Sequence, residues 1–223
     1  MARELTGLLI VLFRTSDEGP ASRRAFVVGD YHASMTVPID RLPFTGDDGA
    51  DRLLAANPLA LLIGFALDQQ VTVQKAFSGP AELQRRLGHL DAARIAATDP
   101  VQLDAAFRER PALHRFPGSM AGKVQQLCAA IADDYANDAA RIWTEARDGK
   151  DLERRLLALP GIGEMKAKSI IAILGKRLGV DPPGMAEVMP RHPTLGDVDS
   201  AESLANYQAG KRAKKAELRA AKG

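Results

Sequence analysis

Residues 159–168 read LPGIGEMKAK, set between a helix-like run, DLERRLLAL (151–159), and an apolar one, SIIAILGKRL (169–178). Pro160 disfavours helix at the residue before it and closes the first run. Gly161 and Gly163 carry no side chain and tolerate positive φ, so the turn between them can be very tight. A second helix is expected from about Glu164, where an acid in the first turn suits the helix dipole. The N–H groups of Gly161, Gly163 and the residues after them should then point outward together. Such a cluster binds an anion, and a phosphate is the natural one. Lys166 and Lys168, in the first turns of the second helix, are expected to add positive charge to the same place. The competing reading is an αα-corner that needs glycine only for packing. The apolar anchors Leu159 and Ile162 bracketing the glycines, and the lysines alongside, favour the phosphate reading.

The rest of the chain reads as helical around this hairpin. PLALLIGFALDQQ (58–70) begins with proline at a first helical turn and is apolar on nearly every side, so Leu61, Leu62, Ile63, Phe65 and Leu67 should be core. SGPAE (78–82) looks like a stop and restart, and Asp99-Pro100 like a split between two short helices capped by Thr98 or Asp99. Met120, Val124, Leu127, Cys128 and Ile131 fall on one face at spacings of three and four. Cys128 and Trp143 are expected in the core. Residues 181–199 are rich in Pro and Gly and read as an irregular connection to a last helix, with Ser200 as its cap. Residues 1–47, with the β-prone runs LLIVLF and AFVVGDY, read as an N-terminal arm or small hairpin. The expectation is an all-α body over 48–180, an arm over 1–47, and a connection with a basic C-terminal helix over 181–223.

The chain has 223 residues and a formal net charge of +2, but the charge is unevenly spread. Five acids and one base lie between Asp30 and Asp51, while six bases and one acid follow Ala205. That asymmetry suits a face turned to a polyanion, and a solvated tail gives the same pattern. One cysteine rules out an internal disulfide and a four-cysteine metal or iron–sulfur site. The four histidines show no metal-like pairing, and no metal site is expected. No run is long and apolar enough for a membrane span, and no signal peptide is read, so a reducing cytoplasmic location is expected. No GxxxxGK[ST] loop is present, and the 5% aromatic content argues against a single-strand stacking platform.

LPGIGEMKAKSIIAIL (159–174) resembles the helix-hairpin-helix of DNA-binding proteins, and more narrowly that of the HhH-GPD superfamily of base-excision repair DNA glycosylases. LLIGFALDQQVTVQKAF (61–77) resembles that family's apolar helix ending in a Gln-rich turn. The resemblance covers roughly 51–180. It implies two helical subdomains with a cleft between them, double-stranded DNA as partner, and action as a monomer. It also implies extrusion of a damaged or mismatched base and cleavage of its N-glycosidic bond. Gln69 or Gln70 would then be the wedge or gap filler. Gly161, Ile162, Gly163, Glu164, Lys166 and Lys168 would form the phosphate-binding hairpin. Arg115 and Lys123, flanking the Pro-Gly-Ser helix start at 117–119, could take a second phosphate.

The departures from the family are informative. Bifunctional relatives place a Schiff-base lysine two residues after the second hairpin glycine. Met165 stands there, and Lys166 is about 100° around the helix, so lyase activity is expected to be absent. The catalytic aspartate of the family would fall near Pro183, and the nearest acid is Asp181. Asp181 is therefore the expected catalytic carboxylate, with Asp68 and Glu164 as lesser candidates. The iron–sulfur loop is missing, so no cofactor is expected, although the resemblance admits a monovalent cation at the hairpin. Two further readings stand beside the monofunctional glycosylase. One is a non-catalytic protein on the same scaffold that recognises distorted or damaged DNA. The other is a protein-interaction module built on the apolar N-terminal arm.

Overall fold

The computed structural model describes residues 39–220. The β-prone runs expected at the N-terminus lie outside these residues. Asp47 caps the first helix by accepting from the Ala50 N–H, and α1 runs Asp48–Ala56. Asn57 then accepts from the Ala60 N–H and Pro58 starts α2, Pro58–Leu67. Every residue from Leu59 to Leu67 is buried, as an all-round apolar helix requires. Around it pack α1, α3 (Val73–Leu87) and α6 (Pro117–Asp134), and the shorter α4 (Ala92–Ala97) and α5 (Pro100–Arg108) lie on α6. A second group follows: α7 (Arg141–Thr144), α8 (Gly149–Leu157), α9 (Glu164–Arg177), α10 (Met185–Val188), a 3-10 turn at Leu195–Asp197, and α11 (Ala201–Ala220). The described residues contain no strand, so the class is all-α. No single described helix is long and apolar enough to cross a bilayer.

Three local expectations change. SGPAE does not interrupt a helix. α3 runs through Pro80, which costs it one backbone hydrogen bond. Gly79 and Pro80 are both buried there, and the Ser78 hydroxyl donates to the Gln74 carbonyl (2.7 Å) in the same turn. Residues 39–47 pack into the helical body rather than forming an arm. Leu42 and Phe44 are fully buried, with Phe44 edge-on to the Phe77 ring. The Asp51 carboxylate accepts from the N–H groups of Phe44 (3.1 Å) and Thr45 (2.9 Å) and from the Thr45 hydroxyl (2.7 Å).

The connection after α9 is also more ordered than its composition suggests. Met185, Val188, Leu195 and Val198 are buried in the same apolar core. Gly196 explains how the 3-10 turn lies so close to α9. A Cβ there would meet the Ala172 backbone carbon at 2.5 Å, so only glycine permits the approach. Ser200 accepts from the Ser203 N–H at the start of α11, the expected cap.

Candidate nucleic-acid interface and cavity

The hairpin forms as the sequence indicates. α8 ends at Leu157, Gly161 takes φ +82°, and α9 starts at Glu164 with Gly163 as its N-cap. Leu159 and Ile162 are buried and anchor the turn from beneath. No side chain caps α9. The backbone N–H groups of Gly161, Gly163, Glu164 and Met165 have no acceptor among the described residues, while the Lys166 and Ala167 N–H groups return to the Gly163 carbonyl. All four of the unpartnered N–H groups belong to exposed residues. A Cβ on Gly163 would touch nothing within 4 Å, and its φ of −92° suits any residue. Packing inside the protein therefore does not explain the glycine at 163.

The two lysines behind the turn are a correction, because neither ammonium is free to meet a phosphate. Lys166 donates to the Gly161 carbonyl (3.0 Å) and reaches the Ala66 carbonyl at 3.4 Å. Lys168 donates to the Val188 carbonyl (3.0 Å) and pairs with Glu153 at 2.7 Å. Both are half-buried. Lys166 thereby ties the hairpin to the last turn of α2. Its ammonium also lies against a hairpin carbonyl, where a cation at the hairpin would compete with it.

The Gln-rich turn lies next to this tether. Gln69 is held in place, with its Nε2 donating to the Ala66 carbonyl (3.1 Å) and its Oε1 accepting from Lys123 (2.8 Å). Lys123 is thus spent on Gln69 rather than left for a phosphate. Gln70 differs. It is exposed, its side chain makes no hydrogen bond among the described residues, and its φ is +56°. A non-glycine residue in the left-handed region costs about 1 kcal/mol or more, and such strain clusters at functional sites. Of the two glutamines, Gln70 is the one whose side chain is unengaged.

His114, unassigned in the sequence, positions this turn. It is buried, its Nε2 donates to the Gln69 carbonyl (2.9 Å), and its Nδ1 accepts from the Phe116 N–H (3.0 Å). Burial lowers its pKa, which keeps the ring in the neutral form this arrangement needs. Arg115 is exposed and lies over the Phe116 ring at 4.8 Å. At the start of α6 an Asp104 carboxylate oxygen and an Arg108 guanidinium nitrogen lie 2.9 and 3.0 Å from where a Gly118 Cβ would sit, so an Arg108–Asp104 ion pair faces that helix end.

Between the end of α2 and the second helical group lies a cavity of about 740 Å³. Phe65 in α2 and Asp68 just after it line one side, and Met165, Lys166 and Ser169 line it from α9. The 3-10 turn and α11 close the remaining sides. The Asp68 carboxylate forms no hydrogen bond or ion pair among the described residues, although its backbone N–H donates to the Phe65 carbonyl. Burial raises its pKa, and the nearby charges of Lys211 and Lys166 oppose that rise only in part. Lys166 is pushed down to about 8, mainly by burial. The 100° offset from Met165 thus does not carry Lys166 away from the cavity. Met165 lies at the mouth, 68% exposed, and Lys166 lies deeper.

Asp181, the expected catalytic carboxylate, is exposed and does not line the cavity. Nor is Glu164 among its lining residues. Asp197 does line it, but its carboxylate is committed to Lys176 and to the N–H of Thr194 (2.8 Å), which hold its pKa down against burial. Asp68 is the one lining carboxylate without a partner. No group of three or more metal-ligating side chains occurs among the described residues. Comparisons with protein families, with curated proteins and with solved structures find no match.

Proposed function

We propose that the chain is a DNA repair protein that binds double-stranded DNA through its hairpin and acts as a monofunctional DNA glycosylase of the HhH-GPD type. The observation that carries this reading is the neighbourhood of two features. Four unpartnered backbone N–H groups face solvent at the hairpin, and beside them opens a cavity holding an unpaired carboxylate, Asp68. The first feature suits a DNA phosphate and carries no sequence preference. The second suits an extruded nucleotide, with Gln70 entering the gap left in the stack.

In this reading the bond between C1′ and the base nitrogen breaks and the base leaves with the electron pair. Asp68, ionised, stabilises the positive charge that develops on the sugar. Water adds to C1′ and its proton passes to the departed base, leaving a neutral free base and an intact strand with an abasic site. Lys166 serves as the tether between hairpin and Gln turn rather than as a nucleophile. The catalytic role moves from Asp181 to Asp68 because Asp181 does not line the cavity and Asp68 lines it with an unpartnered carboxylate. A non-catalytic duplex binder is the second reading, favoured by the exposure of Asp181.

The test is incubation with a panel of duplexes, each carrying one damaged or mismatched base, followed by hot alkali. At least one duplex should be cut by wild type after alkali, none without alkali, and none by Asp68→Asn. Binding to every duplex with cleavage of none favours the second reading.

A further inference from the structure

The basic C-terminal helix has a task that the hairpin reading does not include. α11 lines the cavity through Ser203, Asn206, Tyr207, Gly210, Lys211 and Lys214. Those positions form a single helical stripe at spacings of three and four. On a helix that packs against protein, such a stripe is apolar. Here its first half is polar and aromatic and its second half is a glycine and two lysines. Leu204 is the only described side chain of α11 that is buried. Tyr207 and Gln208 are half-buried, and Gln208 donates to the Gln74 side chain (2.8 Å). From Ala209 onward every described side chain is exposed. The helix is therefore docked by its first two turns, and its basic half projects along the cavity rim.

The lysines on that rim carry no ion pair. Lys168 and Lys176 pair with Glu153 and Asp197, whereas Lys211 and Lys214 form no ion pair among the described residues. Lys211 lies over the Tyr207 ring at 5.3 Å, which holds its ammonium beside the cavity. Met165 and Lys166 line the same cavity from the first turn of α9, directly behind the unpartnered hairpin N–H groups. The hairpin and the α11 lysines thus flank one opening.

We propose that Lys211 and Lys214 form a second phosphate-contacting element, which grips the backbone of the DNA strand whose nucleotide enters the cavity. The proposal rests on the duplex-binding reading of the hairpin. A strand held at the hairpin N–H groups continues past the opening, and its next phosphates meet the two ammonium groups. Extrusion of a nucleotide pushes its flanking phosphates towards the protein, so a cation pair at the rim favours the extruded state.

The test compares wild type, Lys211→Ala with Lys214→Ala, and Lys211→Arg with Lys214→Arg in the full chain. Alanine and arginine both favour helix, and circular dichroism checks that helix content is kept. Duplex affinity is measured across a salt series. Each phosphate contact contributes about 0.9 to the slope of log affinity against log salt. The alanine pair should make the slope shallower by about 1.8, and the arginine pair should keep the wild-type slope. Salt-dependent wild-type binding with an unchanged slope in the alanine pair overturns this proposal alone, and is the result expected if α11 serves a protein partner. Wild-type binding to duplex that ignores salt overturns the hairpin reading and this proposal together.

Discussion

Gly163→Asp separates folding from binding more sharply than any other change in this chain. Gly163 caps α9, where an aspartate is a better cap than glycine by a few tenths of a kcal/mol. A negative charge at a helix start adds about 0.3–1 kcal/mol. No neighbour lies within 4 Å of the new Cβ, and φ of −92° is unstrained. The folded variant should thus gain roughly 0.5–1 kcal/mol, or about 1–4 °C in Tm for a chain of this size. At the same time the new carboxylate occupies the ground a phosphate would take. Two unit charges about 4 Å apart repel by roughly 1 kcal/mol in water and about 4 kcal/mol near a protein surface. Duplex binding should weaken by about 5-fold to several hundredfold, alike for every sequence. Thermal melting and fluorescence anisotropy measure the two effects. Equal duplex affinity in a well-folded variant would refute the phosphate role of the hairpin. A large fall in Tm would instead show that Gly163 serves packing. Gly161→Ala is the contrasting control, because φ of +82° makes it lose about 1–2 kcal/mol.

Three further outcomes follow from the same geometry. Asp68→Asn should abolish base excision while leaving duplex binding intact. Because burial raises the Asp68 pKa, the folded state holds that proton more tightly than the unfolded one. The carboxyl therefore favours folding at acid pH, and that contribution is lost as pH rises through the raised pKa. Asp68→Asn should accordingly melt higher than wild type at pH 7, with the gap narrowing at pH 4, and wild-type activity should fall on acidification at a pH above the ordinary aspartate range. Gln70→Gly should relieve the left-handed strain and raise stability by up to about 1 kcal/mol, yet reduce extrusion of a 2-aminopurine opposite a gap-prone site, read as lower fluorescence on binding. Gly196→Ala should cost about 1–3 kcal/mol by thermal melting, since the new methyl meets the Ala172 backbone.

Local features were legible in the sequence, and long-range ones were not. The start of α2 at Pro58, its burial on all sides, the Asp99 cap of α5 and the hairpin glycines all follow from signals within a few residues. The buried stripe of α6 follows from spacing alone. The cavity does not, because Asp68, Lys166 and Lys211 are far apart in the chain and meet only through packing. A lysine near a turn also looks the same in sequence whether it is free or spent. Lys166, Lys168 and Lys123 are engaged by partners up to 100 residues away. The family resemblance puts a catalytic acid near Pro183, with Asp181 the nearest, and Asp181 is exposed and does not line the cavity. Beyond α9 the chain forms α10 and the 3-10 turn, packed on α8 and α9, which leaves Asp181 outside the cavity. Asp68 did carry a signal, since an acid directly after an all-apolar helix is forced to lie at the edge of the core. His114 carried none, because its role depends on a carbonyl 45 residues away.

The most direct measurement is a structure of the protein with a duplex containing a non-hydrolysable 2′-fluoro nucleotide that bears a lesion the protein excises or binds. Phosphate oxygens should lie within hydrogen-bond distance of the N–H groups of Gly161, Gly163, Glu164 or Met165, with the lesion nucleotide in the cavity against Asp68 and Gln70 in the stack. A duplex seated away from the hairpin, or one that leaves the cavity empty with all its bases stacked, would contradict the glycosylase reading.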